Sequence, residues 1–419
     1  MSESSAASTP QPGLSDLLRN KNFRWLWLGQ IISNYGDSLT ALALLILINR
    51  LTGSTAAIAM VAILMALPQV TVGMVAGVFV DRWSRKWTMI ISDVLRGIVV
   101  LGLVLVREPG DVWVLYALTL LQATVGVFFS PARMALLANV VSREELLAAN
   151  SIAQTSRIIF GLLGTASAGV IIGLWGDFAI IFIIDAMTFF ISALLTWRVI
   201  TPSAARAQVR ASVHTIFDEL MVGLRIIFGS RMLIGVLVSA SIVMLGMGAV
   251  NVLFVPLLID ELGVLETWFG ALEAAQVTGM VLGGALVTIL ALRLQPTRII
   301  SLGLIAVGAG IAAIAAVTQA WQVALLLLPI GLVMTPVNAA VATLTQTAVS
   351  DALRGRIGAA LQTMIGAANI TSMALAGVLA GVVGVRNVFV LAGMLALLAG
   401  ALAIPLFGKQ SAPAPEAAP

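Results

Sequence analysis

Stretches of some twenty apolar residues, each closed by a short polar or charged turn, follow one another from Trp25 to Phe407. A helix needs ~20 predominantly apolar residues to cross the hydrocarbon of a bilayer, so each stretch is long enough to be one span. They fall near 25–49, 56–80, 87–106, 112–138, 147–173, 177–198, 232–259, 267–291, 298–317, 321–347, 356–382 and 386–407. Their length and unbroken apolarity exclude the alternating strands of an outer-membrane barrel. The expected fold is therefore an all-α membrane protein of about twelve transmembrane helices. Composition agrees, with 60% hydrophobic residues, 10% charged residues and a mean hydropathy of +1.07.

The longest internal polar segment divides the spans into two groups of six. Residues 23–200 and 232–408 are expected to form two helical bundles, joined by a linker at 201–231 and flanked by disordered ends at 1–22 and 409–419, which are rich in Ser, Ala and Pro. The first twenty residues lack the apolar core of a cleavable signal. Within the linker, Val213, Ile216, Phe217, Leu220, Leu224, Ile227 and Phe228 recur at helical spacing, opposite His214, Asp218, Glu219 and Arg225. This spacing predicts an amphipathic helix lying on the membrane face. SPARMALLANVVS at Ser130–Ser142 is echoed six spans later by TPVNAAVATLTQTAVS at Thr335–Ser350, as a pseudo-repeat of two halves would give.

Basic residues sort by loop. Arg50, Arg107 and Arg386 fall on one side, whereas Arg19, Lys21, Arg24, Arg82, Arg85, Lys86, Arg143, Arg198 and most others fall on the side of the termini. The bias of cytoplasmic loops toward Lys and Arg then predicts a multi-pass protein of a bacterial cytoplasmic (inner) membrane with both termini in the cytoplasm.

Several function classes drop out. Cysteine is absent and His214 is the sole histidine, so disulfides, thiolate metal sites and His clusters have no ligands, and no metal or other cofactor is expected. No nucleotide-cradling Gly-x-x-x-x-Gly-Lys-Ser/Thr stretch occurs, so ATP is not expected to drive the protein, and nothing points to nucleic acid. An enzyme is not expected. Any proton carried near neutral pH must ride on a carboxylate.

The run GVFVDRWSRK, Gly77–Lys86, breaks the second apolar stretch from the third with Asp81, Arg82, Arg85 and Lys86. It is similar to the signature loop between spans 2 and 3 of the major facilitator superfamily. WLGQIISNYGDSLTALAL (Trp27–Leu44), ISDVLRG (Ile91–Gly97), FFSPARMALL (Phe128–Leu137), EELLAANSIAQTSR (Glu144–Arg157) and IDAMTFFISALL (Ile184–Leu195) resemble its drug-exporter branch, which includes macrolide and siderophore efflux proteins. The resemblance implies the major facilitator fold, two six-helix halves that rock about a central cavity. Ser84 stands where the loop usually has glycine, Thr119 precedes Gln122 where many proton-driven exporters carry arginine, and Thr165 replaces a proline of the antiporter pattern.

The resemblance implies that Gly77, Asp81, Arg82, Arg85 and Lys86 form a gate that locks the cytoplasmic side. Asp81 is expected to accept from a helix N-terminus near Gly355, and Asp93, Arg96 and Arg133 to join it in a network. Deeper charges are expected to face a cavity or a partner. Asp37, some thirteen residues into its span, lies roughly 20 Å deep and is expected to carry the coupling proton, balanced by Arg157 near mid-membrane. Glu273 in the second half is a further coupling or cation-binding candidate, and Asp185, within AMTFF, reads as packing. Asn34, Gln122, Phe128, Met244, Met247, Asn251, Gln276 and Asn338 are the candidate substrate-lining residues, Met and aromatic side chains being suited to variable apolar ligands. The expected protein is a monomeric secondary transporter that exchanges small amphiphilic compounds for protons among membrane lipids. The alternatives are a lipid or lysolipid flippase of the same fold and, behind it, an intramembrane enzyme.

Overall fold

Asn20 opens the first long helix. Its side-chain oxygen accepts from the amides of Asn22 and Phe23, donors that helix geometry leaves unpaired, and its Nδ2 donates to the Val140 carbonyl at 2.8 Å. The computed structural model describes residues 14–200, 213–347 and 351–407. After the short α1 (Leu14–Arg19), α2 (Lys21–Thr52) runs until Gly53 adopts φ 58° in the left-handed region and stops it. Ser54 then caps α3 (Thr55–Thr71), which continues as α4 (Gly73–Arg82). The first half is completed by α5 (Arg85–Gly102), α6 (Val112–Val140), α7 (Leu146–Trp175) and α8 (Phe178–Trp197). The linker helix α9 (Val213–Gly229) leads to α10 (Arg231–Pro256), α11 (Trp268–Arg293) and α12 (Pro296–Ile314). The chain ends with α13 (Ala320–Thr347), α14 (Asp351–Val383) and α15 (Val385–Phe407).

Eleven of these helices are each long and apolar enough to span a bilayer, and α3 and α4 counted together as one bent span bring the number to twelve. That span is not the straight 56–80 helix of the sequence reading. It bends by 62° at Val72–Gly73, a few residues past Pro68, where glycine frees the backbone to change direction. The π-helical turn Leu257–Glu261 ends α10 and sets Asp260 and Glu261 side by side at the far end of the bundle from the termini.

The linker helix forms as predicted but does not simply lie on the membrane. Leu220, Leu224 and Ile227 pack on Leu353, Ile357, Ala360 and Leu361 of α14, and Gly223 sits against the Arg356 carbonyl. Docking on protein covers Leu220, Leu224 and Ile227 of the apolar stripe, while Met221 and Phe228 stay exposed. The opposite face of α9 carries His214, Asp218 and Glu219, whose side chains lie outside the described residues.

Small residues set the contacts between halves. Gly377 of α14 packs on Ala59 of α3, and Gly270 of α11 on Ala166 of α7, so closely that a methyl group at either glycine would collide. Between described side chains, the polar links from one half to the other lie toward the far end. Arg50 pairs with Glu266, Asn49 Nδ2 donates to Asp260 Oδ1 at 3.1 Å, and Thr55 Oγ1 donates to the Gly377 carbonyl at 2.9 Å.

Candidate coupling site and gate

The packing of α2 against α8 builds the site. Gly29, Gly36 and Thr40 recur along one face of α2, and opposite them α8 presents Ser192, Thr188 and Asp185 in reverse order. Glycine at position 36 lets α8 approach until Asp185 and Thr188 lie where a Cβ would otherwise stand. Thr40 Oγ1 donates to Asp185 Oδ2 at 2.5 Å, and Thr188 Oγ1 lies 2.7 Å from the Asp185 carbonyl oxygen and 3.2 Å from its Oδ1.

Asp37, one position beyond Gly36, turns off that face toward α5. There it forms an ion pair with Arg96, whose guanidinium also stacks 4.2 Å from the centre of the Phe189 ring. One turn earlier on α5, Asp93 accepts from Ser192 Oγ at 2.7 Å. Asp93 Oδ1 and Arg96 Nε are buried without a hydrogen-bond partner among the described residues. Three carboxylates and one arginine thus meet between α2, α5 and α8. Asp93 and Asp185 are wholly buried, whereas 34% of the Asp37 side chain is exposed. Asp37 opens on a cavity of about 250 Å³ lined with Arg96, Gln69, Thr119 and Gln122.

This geometry corrects the expected partner of Asp37. Asp37 sits at the middle of the 32-residue α2, and Arg96 lies beyond the middle of the 18-residue α5, so the two are level, and Arg96 is not at the terminal end of its span. Arg157 is instead exposed on α7, where its Nε donates to Gln154 Oε1 at 3.3 Å. The expected network of Asp81, Asp93, Arg96 and Arg133 is likewise not assembled. Asp93 and Arg96 are engaged deep in the bundle, and Arg133 Nη1 donates to Gln30 Oε1 at 3.3 Å.

Two cations of the charged turn between α4 and α5 bond within their own half. Arg85 Nη1 donates to Asn139 Oδ1 at 2.8 Å, and Lys86 Nζ donates to the Val199 carbonyl at 2.8 Å. Arg82 and Asp81 are exposed, no described side chain bonds Asp81, and Gly77 has open space above it. The contact expected with the start of α14 near Gly355 lies outside the described side chains.

Of the expected lining residues, Gln122 faces the cavity beside Asp37, and Asn34 lies on α2 between Gln30 and Asp37. Phe128 does not join them. It stacks with Phe79 and Trp83 against an apolar groove that Trp87, Ile91 and Leu95 line on the outer side of α5. Met244 and Met247 pack against the core of the second half. Gln276 lies where α11 meets Gly331 of α13, and Asn251 and Asn338 are exposed. Glu273, half-buried on α11, faces Thr165 of α7 across the two halves. Asp185, Thr40, Thr188 and Ser192 were not legible as site residues. Their signal was the small-residue spacing Gly29, Gly36, Thr40, which marks a face that must meet another helix.

Known proteins place this architecture. The family described as "Transmembrane secretion effector" matches residues 14–414. An uncharacterized MFS-type transporter of Bacillus subtilis, YfiS, is 29% identical over 416 residues, covering 94% of this chain and 95% of that protein. Macrolide efflux protein A of Streptococcus pyogenes is 24% identical over 266 residues, 63% of this chain and 65% of that one. Among solved structures, a bacterial homolog of the human lysosomal transporter Spinster superposes with a TM-score of 0.76 at 15% identity, covering 97% of this chain and all of that one. With eleven to twelve membrane-length helices and a family match along nearly its whole length, the chain belongs to the transmembrane secretion effector family of major facilitator transporters.

Proposed function

We propose that this transporter exports small amphiphilic compounds across a bacterial cytoplasmic membrane in exchange for protons, with both termini in the cytoplasm. The observation that carries the reading is the cluster of acid between α2, α5 and α8, where Asp37, Asp93 and Asp185 surround Arg96, the one cation among them. Carboxylates held in a bundle interior without matching cations are costly as ions, and proton binding removes that cost. Asp37 is the member open to the cavity, so it exchanges the coupling proton while Asp93 and Asp185 hold Arg96 and α8 in place. Release of Arg96 from Asp37 and uptake of a proton by Asp37 are two faces of one step.

Alternating access follows from the contacts between halves. In this state the far side is held by Arg50–Glu266, Asn49–Asp260 and the Gly270 and Gly377 crossings. The cavity then loads from the cytoplasm. In the opposite state these links part, together with Thr165–Glu273, and the turn at Gly77–Lys86 closes the cytoplasmic side with Asp81 engaged. Replacing Glu266 by Gln is accordingly expected to raise, several-fold, the reaction of a cysteine placed at Ala41 with an impermeant maleimide added from the far side. The chain has no cysteine of its own to interfere, and an unchanged rate would mean that small-residue packing alone keeps the far side shut.

The reading is tested in proteoliposomes with a compound chosen by its thermal stabilisation of the purified protein. An imposed pH gradient should drive that compound against its own gradient. Movement that only dissipates the compound's gradient, whatever the pH difference, would replace exchange by facilitated diffusion.

A further inference from the structure

Arg133 and Arg157 are not used by the coupling site, and among the described residues no carboxylate pairs with either. Neither α6 nor α7 contains an acidic residue, and the one acid of α2, Asp37, is taken by Arg96. Their described hydrogen bonds go to neutral amide oxygens, Arg133 to Gln30 at 3.3 Å and Arg157 to Gln154 at 3.3 Å. Both stand against the same stretch of α2, Arg133 bonded to Gln30 and Arg157 next to Ser156, which accepts from Trp27 one turn away. At 1.5 Å per residue, Gln30, Arg133 and Arg157 lie roughly 10–16 Å in from the terminal ends of their helices. Arg133 is therefore not drawn out to the headgroup level in the way a snorkelling side chain would be, because it is bonded to Gln30 at its own depth. Trp27 Nε1 donates to Ser156 Oγ at 3.0 Å and ties α2 to α7 beside Arg157.

Two guanidinium groups with no acidic partner among the described residues, set at membrane depth against one stretch of α2 and held by amides, make a site whose missing partner is an anion. We infer that Arg133 and Arg157 bind the acidic group, carboxylate, sulfonate or phosphate, of an anionic amphiphile, Gln30 and Gln154 orienting the two forks. The inference rests on the transport reading above and names its substrate class. Arginine suits the role because its planar fork stays charged and bonds such groups in pairs. The site lies about two helical turns from Asp37 along α2, so an anion and a coupling proton are held in the same half at separate points.

The test is equilibrium binding to the full-length protein in phosphatidylcholine nanodiscs, without any gradient, so it can fail while proton coupling stands, and the reverse. The probes are 8-anilinonaphthalene-1-sulfonate and its uncharged counterpart N-phenyl-1-naphthylamine, read by fluorescence. The wild type is expected to bind the sulfonate about tenfold or more tighter than the uncharged probe. Arg133→Gln and Arg157→Gln should each remove most of that preference while leaving the uncharged probe's affinity unchanged, which also shows that the variants are folded, and Arg→Lys should keep part of it. Absence of a wild-type preference, or equal losses for both probes, would overturn the site. If phosphatidylglycerol in the disc displaces the sulfonate from wild type but not from the Gln variants, the arginines bind lipid headgroups and the assignment to substrate falls.

Discussion

Asp37→Asn is expected to lower gradient-driven transport by roughly 100-fold while leaving exchange of labelled for unlabelled substrate across the same liposomes nearly intact, since a loss of that size is the usual scale for removing a proton-transfer group. Asparagine keeps the shape of the side chain and can still accept from Arg96, so the fold and the cavity survive. What it cannot do is hold a proton in one state and an arginine in the other. Asp93→Asn is expected to differ. Asp93 is sealed from the cavity and accepts from Ser192, so its replacement should act on stability and only weakly on the response to the gradient. Equal losses of driven transport and exchange in Asp37→Asn would instead make Asp37 a binding or packing residue.

Arg96→Gln carries the second large effect, on stability. Arg96 is the cation that Asp37, Asp93 and Asp185 share, and its guanidinium covers Phe189. Removing one partner of a fully buried pair costs ~3–5 kcal/mol, and the third of Asp37 that stays accessible softens this to about 2 kcal/mol. The double variant Arg96→Gln with Asp37→Asn removes the stranded charge along with its partner. It is expected to unfold at a higher temperature than Arg96→Gln alone, although it carries one more substitution. If the two losses simply add, the pair contributes nothing beyond its separate side chains.

Hydropathy made the fold legible because a span must satisfy its own backbone in lipid, and that constraint is written locally in apolar runs. The same runs hid the bend at Val72–Gly73, since glycine and proline within an apolar stretch do not lower its hydropathy. Depth along a helix singled out Asp37, and the same count misassigned its partner. Depth alone does not say which arginine a carboxylate faces: Arg96 was assigned to the gate network, whereas it stands past the middle of α5, level with Asp37, and pairs with it. Asp185 was taken for packing because its neighbours in sequence are apolar. Its role comes from Thr40 on a helix 145 positions away, and nothing local in the sequence states that adjacency. Arg157 was assigned to Asp37, whereas Asp37 pairs with Arg96 and the described bond of Arg157 goes to Gln154.

The central claim, that substrate and protons move in opposite directions through this chain, is tested most directly by counting the protons. Liposomes holding the protein and an internal pH-sensitive dye, with no gradient imposed, receive an outward-directed gradient of the stabilising compound. The account predicts acidification of the lumen that begins with substrate movement, scales with it and is lost in Asp37→Asn. Substrate movement at the wild-type rate with a lumen pH that does not change would contradict it.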